Sequence, residues 1–310
     1  MVDFRSLETL VWVATLRSFR RAANRLNTTQ PAVSQRIAQL ESEIGHRLLV
    51  REKRTVVPTD AGRRLIDYAE RLLRLRAEML HAVADRSAIR GTLKLGVAET
   101  IVHTWLPRFV ERMAKAYPRL ELEIEVDITP NLRERLVAQE QDLVFVLGAL
   151  AAPQLKNLPL STYRLAFLAA PDYPLPKGPI GLEVLAGHPI MTFSRNTRPY
   201  LALRELFSAP GLPPVRIHAS SSMATILRMA EDGLGIAAVP SAIAGTEIAA
   251  RRLRVLRTTV TLPELDFFAA WRMTPDAGTI EAVAMIAADV ARISSRSGRG
   301  RERARPASRN

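Results

Sequence analysis

The sequence predicts an all-α N-terminal domain with a winged helix-turn-helix, a long linker helix, and an α/β domain of two lobes. Three observations lead to this prediction: short amphipathic segments up to residue 58, a heptad repeat from Ala61 to Ala82, and strands alternating with helices over residues 91–291. Strands in alternation with helices indicate a mostly parallel sheet, or two of them, covered by helices on both faces. A chain of 310 residues is long enough for this organisation.

Composition excludes several protein classes. No segment approaches the roughly 18 uncharged apolar residues of a membrane helix, and the start, MVDFRSLETL, lacks the apolar core of an export signal. The absence of cysteine excludes disulfides, thiolate catalysis and zinc–sulfur sites. The five histidines show neither i, i+4 pairing nor clustering. We therefore expect a cytoplasmic protein that needs no membrane, no metal and no other cofactor.

The net charge of +13 is concentrated at the two ends of the chain. Residues 1–90 hold 17 Lys and Arg against 10 Asp and Glu, residues 91–291 hold 20 against 20, and residues 292–310 hold 7 against 1. This distribution favours binding of a polyanion by an end segment, although a solvated basic surface with a disordered tail would also produce it. Residues 292–310 lack periodicity and are predicted to be a disordered basic tail that adds phosphate affinity or has no role.

The first domain, residues 1–58, is predicted to contain three short helices and a wing. Leu7 and Leu10 mark the first helix, and Ser18 is a good N-cap for the second. After the third helix, the segments RLLV and TVVP read as short strands joined by a charged tip, Arg51 to Arg54.

The third helix, within TTQPAVSQRIAQLE, contains a proline that needs an explanation. With Thr29 as the N-cap, Pro31 falls in the first turn, where its missing N–H group costs little. The apolar residues Val33, Ile37, Leu40 and Ile44 then face the core. The opposite face carries small and amide side chains, which permit close approach to a DNA groove, and glutamine can pair with adenine.

The linker segment, residues 59–90, is predicted to be a helix followed by a hinge at residues 86–91. Its apolar residues follow a heptad stripe, which favours pairing with a second copy of the helix in a homodimer. The alternative is a helix that lies on its own domain. The dimerisation residues predicted from the stripe are Leu65, Tyr68, Leu72, Leu75 and Met79.

The N-terminal 60 residues resemble the DNA-binding region of LysR-type transcriptional regulators. The matching residues include Ser18-Phe19, Ala22-Ala23, Leu26, Gln30 to Ser34, Ile37, Leu40-Glu41, Gly45, Leu48, Arg51, Arg54, Thr59 and Ala61-Gly62. The segments GTLKLGV, LPRFVERMAKAYP, DLVFVL and EDGLGIAAVP resemble the same family, whose effector domain is similar to the two-lobed periplasmic binding proteins. The resemblance covers about residues 3–290.

The resemblance implies a homodimer, commonly assembled into a tetramer, that binds an interrupted palindrome in double-stranded promoter DNA and can contact RNA polymerase. It implies DNA contacts by Thr29, Gln30, Pro31, Ser34, Gln35, Arg36, Arg51, Lys53 and Arg54. Many relatives carry arginine at the position of Gln35 and glutamine at that of Arg36. We therefore expect an A·T preference at the base pair that Gln35 reads.

The resemblance also implies a small-molecule effector between two lobes, of which lobe I spans about 91–161 and 268–291, and lobe II about 162–267. Strand ends and helix starts should meet in this cleft. The effector-binding residues expected there are Glu99, Thr100, Ile101, Thr129, Ser194, Arg195, Ser220 and Ser221. An amino-acid-like zwitterion would satisfy both Arg195 and Glu99, although Glu99 could instead cap a helix.

Catalytic motifs are absent from the sequence. There is no G-x-S-x-G, no Walker A loop and no H-E-x-x-H. The segment GLGIAA, residues 233–238, matches a dinucleotide fingerprint, but it follows a helix and opens a strand, so its glycines are predicted to end that helix. The sequence thus predicts a ligand-responsive transcription factor and no enzyme. The alternatives are a solute-binding protein or enzyme on a two-lobed fold, and an architectural DNA-binding protein.

Overall fold

The computed structural model describes residues 2–52, 55–83, 89–152, 154–274 and 277–303. These residues form two compact units, one built mainly from the chain before residue 89 and one from residues 89–272 and 282 onward. Most of the predicted hinge at 86–91 lies outside the described residues, as do Lys53 and Arg54 at the predicted wing tip.

The N-terminal unit is a helical domain with a two-stranded wing. Its elements are α1 (Phe4–Leu16), α2 (Phe19–Arg25), α3 (Gln30–Ile44), β1 (Leu49–Glu52), β2 (Thr55–Pro58) and α4 (Asp60–Val83). Helices α2 and α3 begin at the residues that follow the predicted N-caps. The side chains of Ser18 and Thr29 accept hydrogen bonds from the backbone N–H groups of Arg21 and Ala32. Both predicted N-caps are confirmed.

Helix α3 has the orientation that its periodicity predicts. Pro31 lies in its first turn, and Val33, Ile37 and Leu40 are buried in the core of the domain. The helix ends at Gly45, whose φ of 76° is a left-handed conformation that suits glycine. This arrangement leaves the opposite face of α3 at the surface.

Helix α4 has two apolar faces, of which the heptad spacing predicts one. Ala69 and Leu73 are buried against Leu7 and Val11 of α1. Leu65 is half-buried and packs against the same domain, because on the helix wheel it lies between the two faces. Its part in a dimer stays a prediction. The predicted alternatives are therefore combined: α4 lies on its own domain and keeps a separate apolar stripe exposed.

The second unit is an α/β structure. Its strands are β3 (Gly91–Val97), β4 (Leu120–Val126), β5 (Leu143–Leu147), β6 (Leu155–Ala169), β7 (Ile190–Phe193), β8 (Ile217–Ser220), β9 (Ile236–Pro240), β10 (Arg254–Val255) and β11 (Glu264–Arg272). Its helices are α5 (Glu99–Val102), α6 (Leu106–Ala116), α7 (Thr129–Ala138), α8 (Leu182–Ala186), α9 (Arg198–Leu206), α10 (Met223–Glu231), α11 (Gly245–Ala249) and α12 (Ala277–Arg303).

The long strands β6 and β11 join two lobes in one sheet of order β4-β3-β5-β11-β6-β9-β7-β8, with β10 beside β6. In the first lobe, β3 pairs in parallel with both β4 and β5. In the second lobe, β7 pairs in parallel with both β8 and β9. The first half of β6 pairs with β11 and its second half with β9 and β10, so the same strand belongs to both lobes. This is the predicted two-lobed α/β class.

Two predicted segments differ from the structure. The segment IVHTWLPRFVERMAKAY, residues 101–117, whose amphipathic pattern predicts a single helix, is divided between α5 and α6, because Pro107 begins a new first turn after Trp105. Helix α12 runs to Arg303, so the prediction of disorder from residue 292 was wrong for its first part; the segment carries five arginines, which are good helix formers. Residues 304–310 lie outside the described part of the chain.

The second lobe confirms the interpretation of GLGIAA. Helix α10 ends at Glu231, Gly233 has a φ of 72°, and β9 begins at Ile236. The glycine therefore serves the helix end and turn, as predicted. None of the helices in the described ranges is long and apolar enough to cross a bilayer.

Candidate nucleic-acid interface and ligand cleft

The exposed face of α3 carries most of the predicted base-reading residues. Gln30, Pro31 and Gln35 are exposed, and Ser34 is half-buried. Thr29, also exposed, is occupied as the N-cap. A helix face made of short hydroxyl and amide side chains can approach base edges closely and offer both donors and acceptors.

Arg36 differs from its neighbours on this helix. It is half-buried, and the pKa of the Asp3 carboxyl is held below its usual range by hydrogen bonding from Ser6 and Arg5 and also by the charge of Arg36. The charge of the Arg36 guanidinium thus acts on the Asp3 carboxylate, just before α1. Arg36 therefore does not share the exposed face that Gln35 presents.

The wing carries one predicted phosphate contact among the described residues. Arg51 is exposed on β1, and its guanidinium carbon lies 5.5 Å from the centre of the Phe19 ring. This cation–π contact orients a charged side chain next to the start of α2. An arginine at the rim of the helix-turn-helix can contact a DNA phosphate.

The root of the wing is fixed by contacts that the sequence did not predict. Glu41 of α3 accepts hydrogen bonds through Oε1 from the N–H groups of Leu48, at 2.7 Å, and Leu49, at 3.1 Å. The Leu48 carbonyl accepts a hydrogen bond from the N–H group of Thr59, just before α4, at 2.9 Å. Leu48 therefore connects α3, the wing and α4.

We expect Glu41→Ala to lower the free energy of unfolding of the N-terminal domain by about 2 kcal/mol, because two N–H groups lose a charged acceptor. The matched control is Glu43→Ala, two residues along α3 at an exposed position, with an expected effect within about 0.5 kcal/mol. Urea unfolding of both variants measures the difference. Equal losses in the two variants would contradict this role of Glu41.

An apolar stripe remains exposed on α4. Tyr68 is 62 % exposed, Leu72 47 %, Leu75 62 % and Met79 59 %. These four residues, which we call the α4 stripe, are spaced four, three and four along the helix and so share one face. A contiguous row of large apolar side chains at the surface marks an interaction surface.

The predicted ligand residues follow the carboxyl ends of parallel strands, with one set of strands in each lobe. In the first lobe, Val97 at the end of β3 pairs with Val126 of β4 and Phe145 of β5. Thr129 begins α7, and its Oγ1 accepts a hydrogen bond from the N–H group of Leu147 at 3.0 Å. In the second lobe, Phe193 of β7 pairs with Ser220 of β8.

The predicted ligand residues that follow β7 and β8 in the second lobe differ in exposure. Ser194 and Ser220 are half-buried, whereas Arg195 and Ser221 are exposed. Ser220 Oγ accepts a hydrogen bond from the N–H group of Ser222, and Ser222 is the N-cap of α10. The structure thus places these side chains at the mouth of the second lobe.

Glu99 joins the two lobes directly. Its Oε1 accepts a hydrogen bond from the N–H group of Met223, the first residue of α10, at 2.7 Å. His103 Nε2 lies 3.6 Å from the same oxygen. The sequence left open whether Glu99 caps its own helix or meets a ligand; its carboxylate caps a helix of the opposite lobe.

Two predicted ligand residues have side chains in the core. Ile101 is 0 % exposed and Thr100 is 2 % exposed. Their side chains are buried because α5 is short and turns its second and third residues inward, and their part in ligand binding stays a prediction. Beside them Trp105, Phe109 and Phe145 form a ring cluster, with centroids 5.3 to 6.3 Å apart.

Arg198 is a candidate that sequence reasoning missed in favour of Arg195. A Cβ on Gly148, just after β5, would lie 2.8 Å from Arg198 Nη1. The guanidinium of the first residue of α9 therefore reaches from the second lobe to the strand edge of the first. Arg195 lies in the loop before α9, whereas Arg198, three residues later, extends toward the first lobe.

Two surface grooves lie in this unit. One of about 320 Å³ is lined by His103 of the first lobe and by residues of α10 and α11. The other, of about 520 Å³, lies between β6, β11 and α12. None of the eight predicted ligand residues lines either groove.

Comparison with known proteins gives two family matches. Residues 4–63 match the family described as bacterial regulatory helix-turn-helix protein, lysR family. Residues 86–280 match the LysR substrate binding domain. The first match lies in the N-terminal unit, and the second covers most of the α/β unit.

Individual relatives agree with these matches. The transcriptional regulator BbuR of Bordetella bronchiseptica is 29 % identical over 254 residues, which are 81 % of this chain and 78 % of BbuR. A full-length variant of OxyR from Pseudomonas aeruginosa superposes with a TM-score of 0.60 at 24 % identity, covering 95 % of this chain and 96 % of OxyR. LysG of Corynebacterium glutamicum, with bound effector Arg, gives a TM-score of 0.60 at 20 % identity, covering 94 % and 99 %. At such identities the two structures show a shared fold.

Proposed function

Because the chain belongs to the LysR family of DNA-binding transcriptional regulators with an effector-binding domain, we propose that it binds promoter DNA as a homodimer controlled by a small molecule. The observation that carries this proposal is the exposed face of α3, which displays Gln30, Ser34 and Gln35 beside a wing that carries Arg51. The α4 stripe supplies the surface for dimerisation. The effector binds between the lobes, at the edge where Glu99, Thr129 and Arg198 lie.

This function requires no catalysis, and we propose that the protein acts in the cytoplasm as a binding protein. In the described residues, no group of three or more acidic or histidine side chains is arranged to hold a metal ion. The ligand-binding lobes are instead joined by the continuous strands β6 and β11, which suit a hinge between two positions. Contact with RNA polymerase follows as part of promoter binding.

Binding-site selection from random DNA with the full chain tests this function. We expect enrichment of an interrupted palindrome, because a symmetric dimer places two α3 helices at half-sites separated by whole helical turns. We also expect the protein's affinity for selected DNA to exceed its affinity for random DNA at 150 mM salt by at least about 1,000-fold. Recovery of unenriched sequences, with equal affinities, would instead indicate an architectural protein.

The selected sequences should also show what Gln35 reads. Glutamine pairs with two groups on adenine, so the contacted position should be A·T, and Gln35→Arg should change it to G·C. The control is Gln39→Arg, one turn further along the exposed face, which should leave that position A·T. Selection of G·C by the unmodified protein would show that Gln35 does not set this preference.

A further inference from the structure

The inference concerns the chemistry of the effector and rests on the proposed function of the cleft. We infer that the cleft binds a ligand through a protonated amine held by Glu99, with its anionic group, where it has one, directed to Arg198. The ligand class is therefore an amino acid or an organic amine, because a carboxylate without an amine would leave Glu99 Oε2 without a donor.

The start of α10, where an anion would bind most favourably, is already occupied by the Glu99 carboxylate. The N-terminus of a helix attracts negative charge, and α10 points its first N–H groups toward the cleft. Glu99 Oε1 occupies this position, 2.7 Å from the N–H group of Met223. A ligand carboxylate at the same place would meet a negative charge instead of a free donor.

The other oxygen of Glu99 lacks a donor among the described residues. Oε2 is buried and has no hydrogen-bond partner among the described residues, although the side chain as a whole is 21 % exposed. His103 Nε2 lies near Oε1, at 3.6 Å, which is too long for a hydrogen bond. A buried carboxylate oxygen without a donor is costly, and an ammonium group would satisfy both its charge and its hydrogen bonding.

A basic side chain approaches the same end of the first lobe as Glu99. Glu99 follows β3 and Gly148 follows β5, and these neighbouring parallel strands are roughly 5 Å apart. Arg198 Nη1 lies beside Gly148, so an acidic and a basic side chain approach the same sheet edge from opposite lobes. A small zwitterion with its ammonium at Glu99 would direct its carboxylate toward Arg198. Because Oε2 is buried, the lobes must part to admit the ligand and then close on it.

Isothermal titration of the full chain tests the ligand class. The probes are L-lysine, L-arginine and putrescine as amines, and succinate and benzoate as carboxylates without an amine. We expect binding heat from at least one amine and from neither carboxylate. Glu99→Gln, which keeps an acceptor for Met223, should weaken amine binding by at least about tenfold. The control Glu111→Gln, at an exposed salt bridge on α6, should bind amines normally.

A second variant keeps the test informative if Glu99→Gln disturbs the cleft. Glu99→Ala frees the Met223 N–H group, so it should lose amine binding and gain measurable succinate or benzoate binding. Carboxylate binding by the unmodified chain would overturn the amine inference and leave the effector function intact. Failure of every probe would overturn the amine inference alone. A probe that binds but leaves the affinity for the selected DNA unchanged would count against the effector function and not against the amine inference. Normal amine binding by Glu99→Gln would also overturn the inference.

Discussion

Replacing Gly62 by alanine is expected to destabilise the N-terminal domain by about 3 kcal/mol and to lower its melting temperature by more than about 10 °C. A Cβ at this position would lie 2.0 Å from the carbonyl oxygen of Leu48. The clash is with backbone and not with a flexible side chain, so either the wing root or α4 must move. Gly62 lies inside a helix with no unusual φ, and the need for glycine is therefore one of space.

The displacement should also affect DNA binding. The Leu48 carbonyl accepts hydrogen bonds from Thr59, whose Oγ1 in turn caps α4 through the N–H group of Gly62 at 3.0 Å. Leu48 is held from the other side by Glu41 of α3. Moving this residue shifts the wing relative to α3, so affinity for the selected site should fall more than affinity for random DNA.

The matched control is Gly245→Ala. Gly245 has helical backbone angles, and a Cβ there would meet no atom within 4 Å. We expect no loss of stability, since alanine is the better helix former. Calorimetry, with fluorescence anisotropy on labelled DNA, compares the two variants. An unfolding temperature within about 2 °C of the unmodified protein for Gly62→Ala would contradict the predicted clash.

Local signals made the N-terminal fold predictable from sequence. Ser18 and Thr29 determine helix starts through contacts with residues three positions away, and Gly45 ends α3 through its own backbone angles. Such interactions span one turn and leave a sequence pattern. The same holds for the alternation of strands and helices that indicated the two-lobed domain.

Contacts distant in sequence were not predictable in the same way. Glu41 meets the wing seven residues later, and Gly62 is required by a carbonyl fourteen residues earlier. A glycine inside a predicted helix indicates close packing, but the sequence does not show which residue packs against it. On α4, Ile66, Ala69 and Leu73 form a second periodic face beside the heptad stripe. Because the two faces are adjacent on the helix, the heptad spacing alone did not reveal the second one.

The cleft shows the limit most clearly. Strand ends were sufficient to predict Glu99 and Thr129 at the carboxyl ends of one set of parallel strands and Ser194 at those of a second set, because parallel strands bring their carboxyl ends together. The sequence could not show that Glu99 reaches across to Met223, nor that Arg198 rather than Arg195 approaches Gly148. Both depend on how one lobe faces the other, which no local pattern records.

Introducing charge into the α4 stripe with Leu72→Glu and Leu75→Glu together is expected to convert the protein into a monomer. Each leucine buried in an interface contributes about 1.5–3 kcal/mol, and a symmetric dimer loses four of them. The dissociation constant of the dimer should therefore rise by more than about 1,000-fold. The fold of each protomer should persist, because the two side chains are 47 % and 62 % exposed within it.

Asp67→Lys is the matched control, because it changes the net charge by the same magnitude, with opposite sign, at an exposed position of α4 outside the stripe. It should leave the assembly unchanged. Light scattering after size-exclusion chromatography, over a wide range of protein concentrations, separates monomer, dimer and tetramer. The double variant should elute as a monomer with an unchanged circular dichroism spectrum.

Loss of the dimer should also change DNA recognition in a defined way. A monomer reaches one half-site only, so its affinity for the complete palindrome should approach its affinity for an isolated half-site. The unmodified protein should prefer the palindrome strongly. If the double variant remained dimeric and kept this preference, the dimer contact would have to lie elsewhere, and the exposed row from Tyr68 to Met79 would need another partner.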